Sequence, residues 1–195
     1  MQASHPSVAV PEPDWLRWEQ QRTGQIPPGL ASWLHDNGSL TRRVQTACGP
    51  GFQVRLLHQG WGSPLYSEGK LLKMRRGEIA VIREVRLLCG EQPWVFARTL
   101  IPIHSLRGRA RRLTRLGERP LGEVLFSHPG LRRGAIEIAR LLPRHRLFGA
   151  AVAGLGEVPT QLWGRRTLFY YAGKPLLVNE IFLPGLPWAE LDHGQ

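Results

Sequence analysis

Four alternating apolar segments, joined in two pairs by short turns, constrain the fold of this chain more than any other feature. One pair spans 78–89 and 94–103 across Gly90-Glu91-Gln92-Pro93, and the other spans 162–171 and 174–184 across Ala172-Gly173. Turns this short join neighbouring antiparallel strands. Further period-two segments at 52–61 and 134–142 bring the number of predicted strands to about six.

Helical patterns lie before and between these strands. Ser39 is suited to cap the helix that begins at Leu40. Strands that mostly neighbour one another in sequence, with short helices around them, predict an α+β fold in which an antiparallel sheet is covered by helices. Helical segments are predicted at 15–21, from Leu30 to the stop at Asn37-Gly38, from Leu40, at 109–117 and at 120–126.

The composition fits one globular domain over 1–195. Of its 195 residues 42% are hydrophobic, which is enough for a sizeable core. Residues 1–13 contain three prolines and are predicted to form a loose arm, and the Gly- and Pro-containing segment 143–160 is predicted to be a surface insertion. No apolar run approaches the roughly 20 residues of a membrane span, and the N-terminus lacks the features of a signal peptide. We therefore expect a cytoplasmic protein.

Charge and cysteine content narrow the classes of partner. The formal net charge is +11, from 26 Lys plus Arg against 15 Asp plus Glu. Such a surface fits nucleic acid, acidic lipid or an anionic small substrate. The arginines are spread along the chain without interleaved aromatics, so no obligate nucleic-acid partner is expected. Cys48 and Cys89 have no neighbours at metal-ligand spacing and are expected to be reduced thiols, and no two histidines stand at i,i+3 or i,i+4, so no metal site is expected.

Three predicted strands each carry one charge within a row of apolar side chains. Because side chains on a strand alternate between two faces, Glu180, Arg83 and Arg98 are each flanked on their own face by apolar residues. A buried unpaired carboxylate costs several kcal/mol, roughly, so Glu180 needs a partner or a ligand. One alternative is a structural ion pair with Arg83 or Arg98. The other is a closed pocket in which an arginine binds a substrate carboxylate and Glu180 meets a hydroxyl.

Several consecutive motifs, in sequence and in order, resemble the chorismate pyruvate-lyase (chorismate lyase) family over about 30–184. They are Ile82-Arg83-Glu84-Val85, Cys89-Gly90-Glu91-Gln92-Pro93-Trp94, Ala97-Arg98-Thr99, Pro120-Leu121-Gly122, Leu125-Phe126, Ile136-Glu137-Ile138, Leu162-Trp163-Gly164-Arg165-Arg166 and Gly173-Lys174-Pro175-Leu176-Leu177, followed by Glu180 and Phe182-Leu183-Pro184. The resemblance implies a cytoplasmic monomer, without metal or organic cofactor, that converts chorismate to 4-hydroxybenzoate and pyruvate in the committed step toward ubiquinone. It also implies a buried ligand pocket closed by helical flaps. Because a closed pocket for a planar aromatic acid retains its product, we expect product release to be slow.

The resemblance further implies roles for individual residues. Arg83 is expected to bind the ring carboxylate, helped by the backbone N–H groups of Leu40 and Leu121. Glu180 is expected to hydrogen-bond the ring hydroxyl and to accept the proton that is lost as enolpyruvate leaves. Leu40 stands where methionine is usual. Arg83 and Glu180 should then lie at opposite ends of the ligand, without touching. The arginine that meets the enolpyruvyl carboxylate is left open among Arg98, Arg165 and Arg166.

A different function class is a non-enzymatic effector-binding domain. Sensor domains of some bacterial transcription regulators share the fold that the resemblance implies. Those regulators carry a separate helix-turn-helix domain, and the roughly 30 residues before the matched region are expected to be too few for one.

Overall fold

One antiparallel sheet dominates the protein. The structure is a computed structural model that describes residues 11–21 and 26–188, and its strand order is β1-β5-β6-β7-β4-β3-β2. Six strands match the predicted ones, and the antiparallel α+β prediction is confirmed. The two-residue strand β1 and a 3-10 helix at Trp18–Gln20 replace the helix predicted at 15–21. The strands are β1 (Leu16–Arg17), β2 (Phe52–Gly62), β3 (Ala80–Cys89), β4 (Gln92–Pro102), β5 (Arg132–Leu141), β6 (Leu162–Tyr171) and β7 (Lys174–Phe182).

The predicted turn between β6 and β7 forms because its residues tolerate a left-handed backbone. Ala172 and Gly173 have φ of 49° and 76°, as a two-residue type I′ hairpin turn requires. This turn sets the pairing of β6 with β7, in which Arg165 lies opposite Glu180. The local sequence therefore positions two charged residues of the site described below.

Short helices cover both faces of the sheet. The front face, which carries Arg83 and Glu180, packs against α1 (Leu30–His35), α2 (Leu40–Cys48), a 3-10 helix (Gly108–Arg115) and α4 (Leu121–Phe126). The back face packs against α3 (Tyr66–Leu71) and α5 (Arg146–Val152). Ser39 caps α2 as predicted, because its hydroxyl accepts a hydrogen bond from the N–H of Arg42 at 3.3 Å. No helix in the described part of the chain is long and apolar enough to cross a membrane.

Two segments differ from their predicted character. The segment 143–160 contains α5, whose Leu147, Phe148, Ala151 and Val152 are buried against the back face, so it covers the sheet instead of forming a plain surface insertion. Most of the predicted arm lies outside the described residues. Within its described part, the Glu12 carboxylate accepts hydrogen bonds from the first two N–H groups of α3, at 2.7 and 3.0 Å.

The expectation of reduced thiols is corrected, because Cys48 and Cys89 form a disulfide with their Cα atoms 5.5 Å apart. The cause is the strand register. Helix α2 ends at Cys48, three residues of 3-10 helix follow, and Phe52 then pairs with Cys89 across β2 and β3. The turn thus returns the chain beside Cys89. The disulfide ties the end of α2 to the end of the strand that carries Arg83.

Candidate functional site

A small cavity lies between the front face of the sheet and two covering segments. One cover is the turn at Gly38 and the start of α2, and the other runs from the 3-10 helix into α4. The cavity volume open to the centre of a water molecule is about 40 Å³, which holds a few water molecules at roughly 10–15 Å³ each. Its walls are mainly apolar, and its charged residues are Arg83, Arg133, Arg165 and Glu180.

Arg83 is a buried cation without an anion. Its residue is 3% exposed, and its guanidinium donates to the carbonyls of Gly117, at 2.8 Å, and Arg119, at 3.0 Å. Within the described residues it forms no ion pair. Burial lowers the pKa of Arg83 to about 10, so the group stays protonated at neutral pH. Such a cation is ready to bind an anion, because its own desolvation is already complete.

Glu180 has a partner that the sequence did not single out for it. Arg165, which is 1% exposed, donates from Nε to a Glu180 carboxylate oxygen at 2.6 Å. Its Nη1 donates to the carbonyls of Trp33, at 3.0 Å, and Asp36, at 2.6 Å. Arg165 therefore fixes the Glu180 carboxylate and ties α1 to the sheet with the same guanidinium.

Arg83 and Glu180 share the front face but are not ion-paired with each other. Arg83 pairs with Thr99 and then Val178 across β4 and β7, so Glu180 lies two strands away and two residues along. With strands about 4.8 Å apart and about 3.4 Å per residue, their Cα atoms are roughly 12 Å apart. The ion pair with Arg83 or Arg98 that was the first alternative does not form, because Glu180 pairs with Arg165.

Two helix N-termini meet the cavity. Leu40 is the first residue of α2 and Leu121 the first of α4, and both line the cavity wall. The first N–H groups of a helix have no acceptor within the helix and carry its positive partial charge. Because these donors belong to the backbone, the identity of the side chain at Leu40 leaves them unchanged.

The structure separates Arg98 and Arg166 from this cavity. Both lie on the back face, where Arg98 pairs with Glu68 at 3.0 Å and Glu84 at 2.6 Å, and Arg166 pairs with Glu137 at 2.6 Å. Burial lowers the pKa of Arg98, but Glu68 and Glu84 outweigh it, so the net pKa is raised. These arginines hold α3 to the sheet, and we no longer expect either of them to meet the enolpyruvyl carboxylate.

Arg133 is the charged residue of the cavity that the sequence did not reveal. It lies at the start of β5, opposite Phe169 of β6, and lines the same wall. The pairing of β5 with β6 shifts between Arg133 and Ile136. Counting by twos along β5 therefore does not assign Arg133 to a face, and no sequence signal marks it.

Comparison with known proteins gives one consistent result at the sequence level. A family model described as chorismate lyase matches residues 13–190. A probable chorismate pyruvate-lyase from Methylococcus capsulatus is 46% identical over 157 residues, covering 80% of this chain and 96% of the relative. Another, from Azoarcus sp., is 44% identical over 165 residues, covering 81% and 87%.

Solved structures share the fold at much lower identity. The effector domain of PhnF from Mycobacterium smegmatis superimposes with a TM-score of 0.54 at 18% identity, covering 75% of this chain and 89% of that one. Gene product SA0254 from Staphylococcus aureus gives a TM-score of 0.51 at 12% identity, covering 76% and 89%. At these identities the likeness concerns the fold alone.

Proposed function

The chain belongs to the chorismate lyase family, so it is a lyase that converts chorismate to 4-hydroxybenzoate and pyruvate, and we propose that Arg83 and Glu180 carry this reaction. The reaction is the first committed step of ubiquinone biosynthesis. One observation supports these residue roles most strongly. A buried guanidinium that has no carboxylate partner among the described residues and a fixed carboxylate line one mainly apolar cavity.

The substrate is held at its two ends. Arg83 binds the ring carboxylate with charge-assisted hydrogen bonds, and the N–H groups of Leu40 and Leu121 assist. Glu180 accepts a hydrogen bond from the ring hydroxyl at the other end. This placement fixes the ring before any bond breaks, which lowers the entropic part of the barrier.

The chemical step is an elimination that makes the ring aromatic. Glu180 takes the proton from the ring carbon that bears the hydroxyl, and the electron pair of that C–H bond enters the ring. The bond from the adjacent ring carbon to the ether oxygen breaks, and enolpyruvate leaves and is protonated to pyruvate. Arg165 acts as a positioning residue, because its bond to Glu180 fixes the direction of the carboxylate.

The cover segments must move for substrate and product to pass. A cavity with room for a few water molecules is too small to admit a dianion of this size from solvent. The cover meets Arg83 directly, since the carbonyls of Gly117 and Arg119 accept its hydrogen bonds. Opening breaks these contacts, so product release through the segments around Leu40 and Leu121 limits turnover.

The protein acts as a monomer, and the reaction needs no metal or organic cofactor because the gain of aromaticity on elimination drives it. We place it in the cytoplasm. Cytoplasmic reductants keep most thiols reduced, so the Cys48–Cys89 disulfide is a test of this location. Counting free thiols in protein purified with and without a reductant tests this, and sedimentation tests the monomer.

The decisive experiment mixes purified protein with chorismate and measures 4-hydroxybenzoate by chromatography. We expect stoichiometric 4-hydroxybenzoate and pyruvate, with a burst followed by a slower steady rate. Wild-type protein that forms no 4-hydroxybenzoate would refute the activity. A steady rate that added 4-hydroxybenzoate leaves unchanged would refute rate-limiting release.

Glu180→Gln tests the proton transfer. General acid–base catalysis typically contributes about 10²–10⁴-fold, so the rate of the chemical step in a single turnover should fall by about that factor. The matched control is Glu137→Gln, because Glu137 is bonded to Arg166 on the back face at the same 2.6 Å as Glu180 to Arg165. Glu137→Gln should keep the single-turnover rate. An undiminished rate in Glu180→Gln would leave Glu180 with a binding role only.

A further inference from the structure

Arg133 is held in the cavity wall at one end of its guanidinium. Its Nη1 donates to the carbonyl oxygens of Asn37 and Gly38, the latter at 3.2 Å, in the turn that leads to α2. Its guanidinium carbon lies 5.3 Å from the centroid of the Phe169 ring. The group is thus fixed between the sheet and the cover, beside an aromatic side chain that also lines the cavity.

The other part of this guanidinium has an unused donor. Nε of Arg133 is buried and finds no hydrogen-bond acceptor in the described part of the protein. A buried donor left unpaired costs about 1–3 kcal/mol. Burial and the nearby Arg165 lower the pKa of Arg133, although Glu180 and Asp36 act in the opposite sense. Arg133 is therefore a second cation of the site that lacks an anion.

The charges of the cavity wall do not balance. Three guanidiniums, those of Arg83, Arg133 and Arg165, face one carboxylate, Glu180, which leaves a net charge of +2. Arg165 is used by Glu180, so Arg83 and Arg133 are the two cations without a carboxylate. The substrate of the proposed function is a dianion with two carboxylates, whereas the aromatic product carries one.

We propose that Arg133 binds the carboxylate on the enolpyruvyl arm of the substrate, and so distinguishes the dianionic substrate from the monoanionic product. The inference rests on the proposed function for the identity of the ligand. The Nε edge of an arginine presents two parallel N–H groups to a carboxylate. Binding supplies the acceptor that Nε lacks, while the turn at Asn37 and Gly38 stays in place.

The test compares Arg133→Met with Arg132→Met. Arg132 is the exposed neighbour, with its guanidinium carbon 5.1 Å from the Tyr170 ring centroid, so its replacement removes the same charge outside the cavity. Truncating one partner of a buried charge pair costs enough to lower kcat/KM for chorismate by at least about 30-fold. For Arg133→Met we expect that loss, with less than about threefold change in the Kd of 4-hydroxybenzoate. Arg132→Met should leave both constants unchanged.

A ligand that cannot react tests the binding role of Arg133 independently of the lyase reaction. 3-(Carboxymethoxy)-4-hydroxybenzoate carries a second carboxylate on an ether arm beside the hydroxyl. Wild-type protein should bind it in calorimetry, and Arg133→Met should lose at least about 30-fold of that affinity, with Arg133→Lys in between. This outcome would stand even if wild-type protein failed to convert chorismate, which would refute the proposed function alone.

If Arg133→Met lost affinity for the dicarboxylate probe and for 4-hydroxybenzoate by the same factor, the inference would be overturned. Arg133 would then act only by supporting the turn at Asn37. Unchanged affinity for the probe would overturn it as well. If Arg133→Met does not fold, the comparison of Arg133→Lys with wild type decides, since lysine keeps the charge but not the paired N–H groups. Equal ratios of probe to product affinity in those two proteins would then refute the role.

Discussion

Replacing Arg83 with methionine should weaken ligand binding strongly while it leaves the folded protein near its present stability. The guanidinium is buried, and the lowering of its pKa to about 10 corresponds to about 3 kcal/mol of desolvation cost in the ligand-free protein. Its bonds to the carbonyls of Gly117 and Arg119 return about 1.5–3 kcal/mol each. These contributions oppose each other, so we expect the free energy of unfolding to change by less than about 3 kcal/mol.

Ligand binding has no such compensation. Removing one member of a buried charge pair costs about 2–5 kcal/mol, which raises the Kd of 4-hydroxybenzoate by roughly 30- to 5000-fold. Calorimetric titration with 4-hydroxybenzoate measures this change, and urea unfolding of the ligand-free proteins measures stability. Arg83→Met should thus separate the two quantities.

Arg86→Met is the matched control for Arg83→Met. Arg86 lies three residues along β3, is also buried, and likewise donates to backbone carbonyls, those of Ala151 and Ala153. Burial, with a smaller contribution from Arg55, lowers the pKa of Arg86 too. Because it packs beneath α5 on the back face, its replacement should leave the Kd of 4-hydroxybenzoate unchanged. Equal loss of affinity in both variants, or none in Arg83→Met, would refute the role of Arg83.

Three further outcomes follow from the covers and the back face. Gly122→Ala should raise the release rate of 4-hydroxybenzoate about fivefold, as measured by stopped-flow fluorescence. The added Cβ would come 2.7 Å from the Ser39 hydroxyl and displace a helix cap worth about 1 kcal/mol. An unchanged release rate would contradict this. Without reductant, Cys48→Ser should lower the free energy of unfolding by about 2–4 kcal/mol. With a dithiol present, the variant and the wild type should have the same free energy of unfolding. A difference that persists in reductant would point to side-chain packing instead of the disulfide. Burial, with a smaller contribution from Arg144, lowers the pKa of His145, so the neutral form is favoured in the folded state. Its contribution to stability is complete above the ordinary histidine pKa of about 6.5 and declines as the pH falls below it; NMR titration should place its midpoint below that of an exposed histidine.

The strands and their turns could be predicted because local sequence decides them. The turn at Ala172-Gly173 has residues that adopt positive φ, and it sets a register in which Arg165 faces Glu180. Alternation alone placed Arg83 and Glu180 in apolar rows. The positions of Arg83 and Glu180 on buried strand faces could therefore be predicted from the sequence, but the partner of Glu180, Arg165, could not.

The faces of the central strands could not be predicted because both are buried. Arg98 lies in an apolar row as convincing as that of Arg83, but β3 and β4 pair Arg83 with Thr99, so Arg98 points to the back face. Its partner Glu68 comes from α3, a helix that the sequence did not indicate. The prediction for Cys48 and Cys89 was wrong for a related reason. Only the pairing of β2 with β3 brings these two positions, 41 residues apart in sequence, close together.

The two faces of the sheet divide their charges in opposite ways, and this division bears on product release. On the back face Arg98 and Arg166 are matched by three carboxylates, and Arg86 donates to backbone carbonyls beneath α5. On the front face Arg83 and Arg133 have no carboxylate partner among the described residues. A dianion would satisfy both, but once the enolpyruvyl arm leaves, Arg133 is unpaired again, and the charge of the site then favours exchange of product for substrate. Retention of 4-hydroxybenzoate therefore comes from Arg83, the apolar walls and the closed covers, and not from Arg133. Gly122→Ala should accordingly speed product release more than Arg133→Met does.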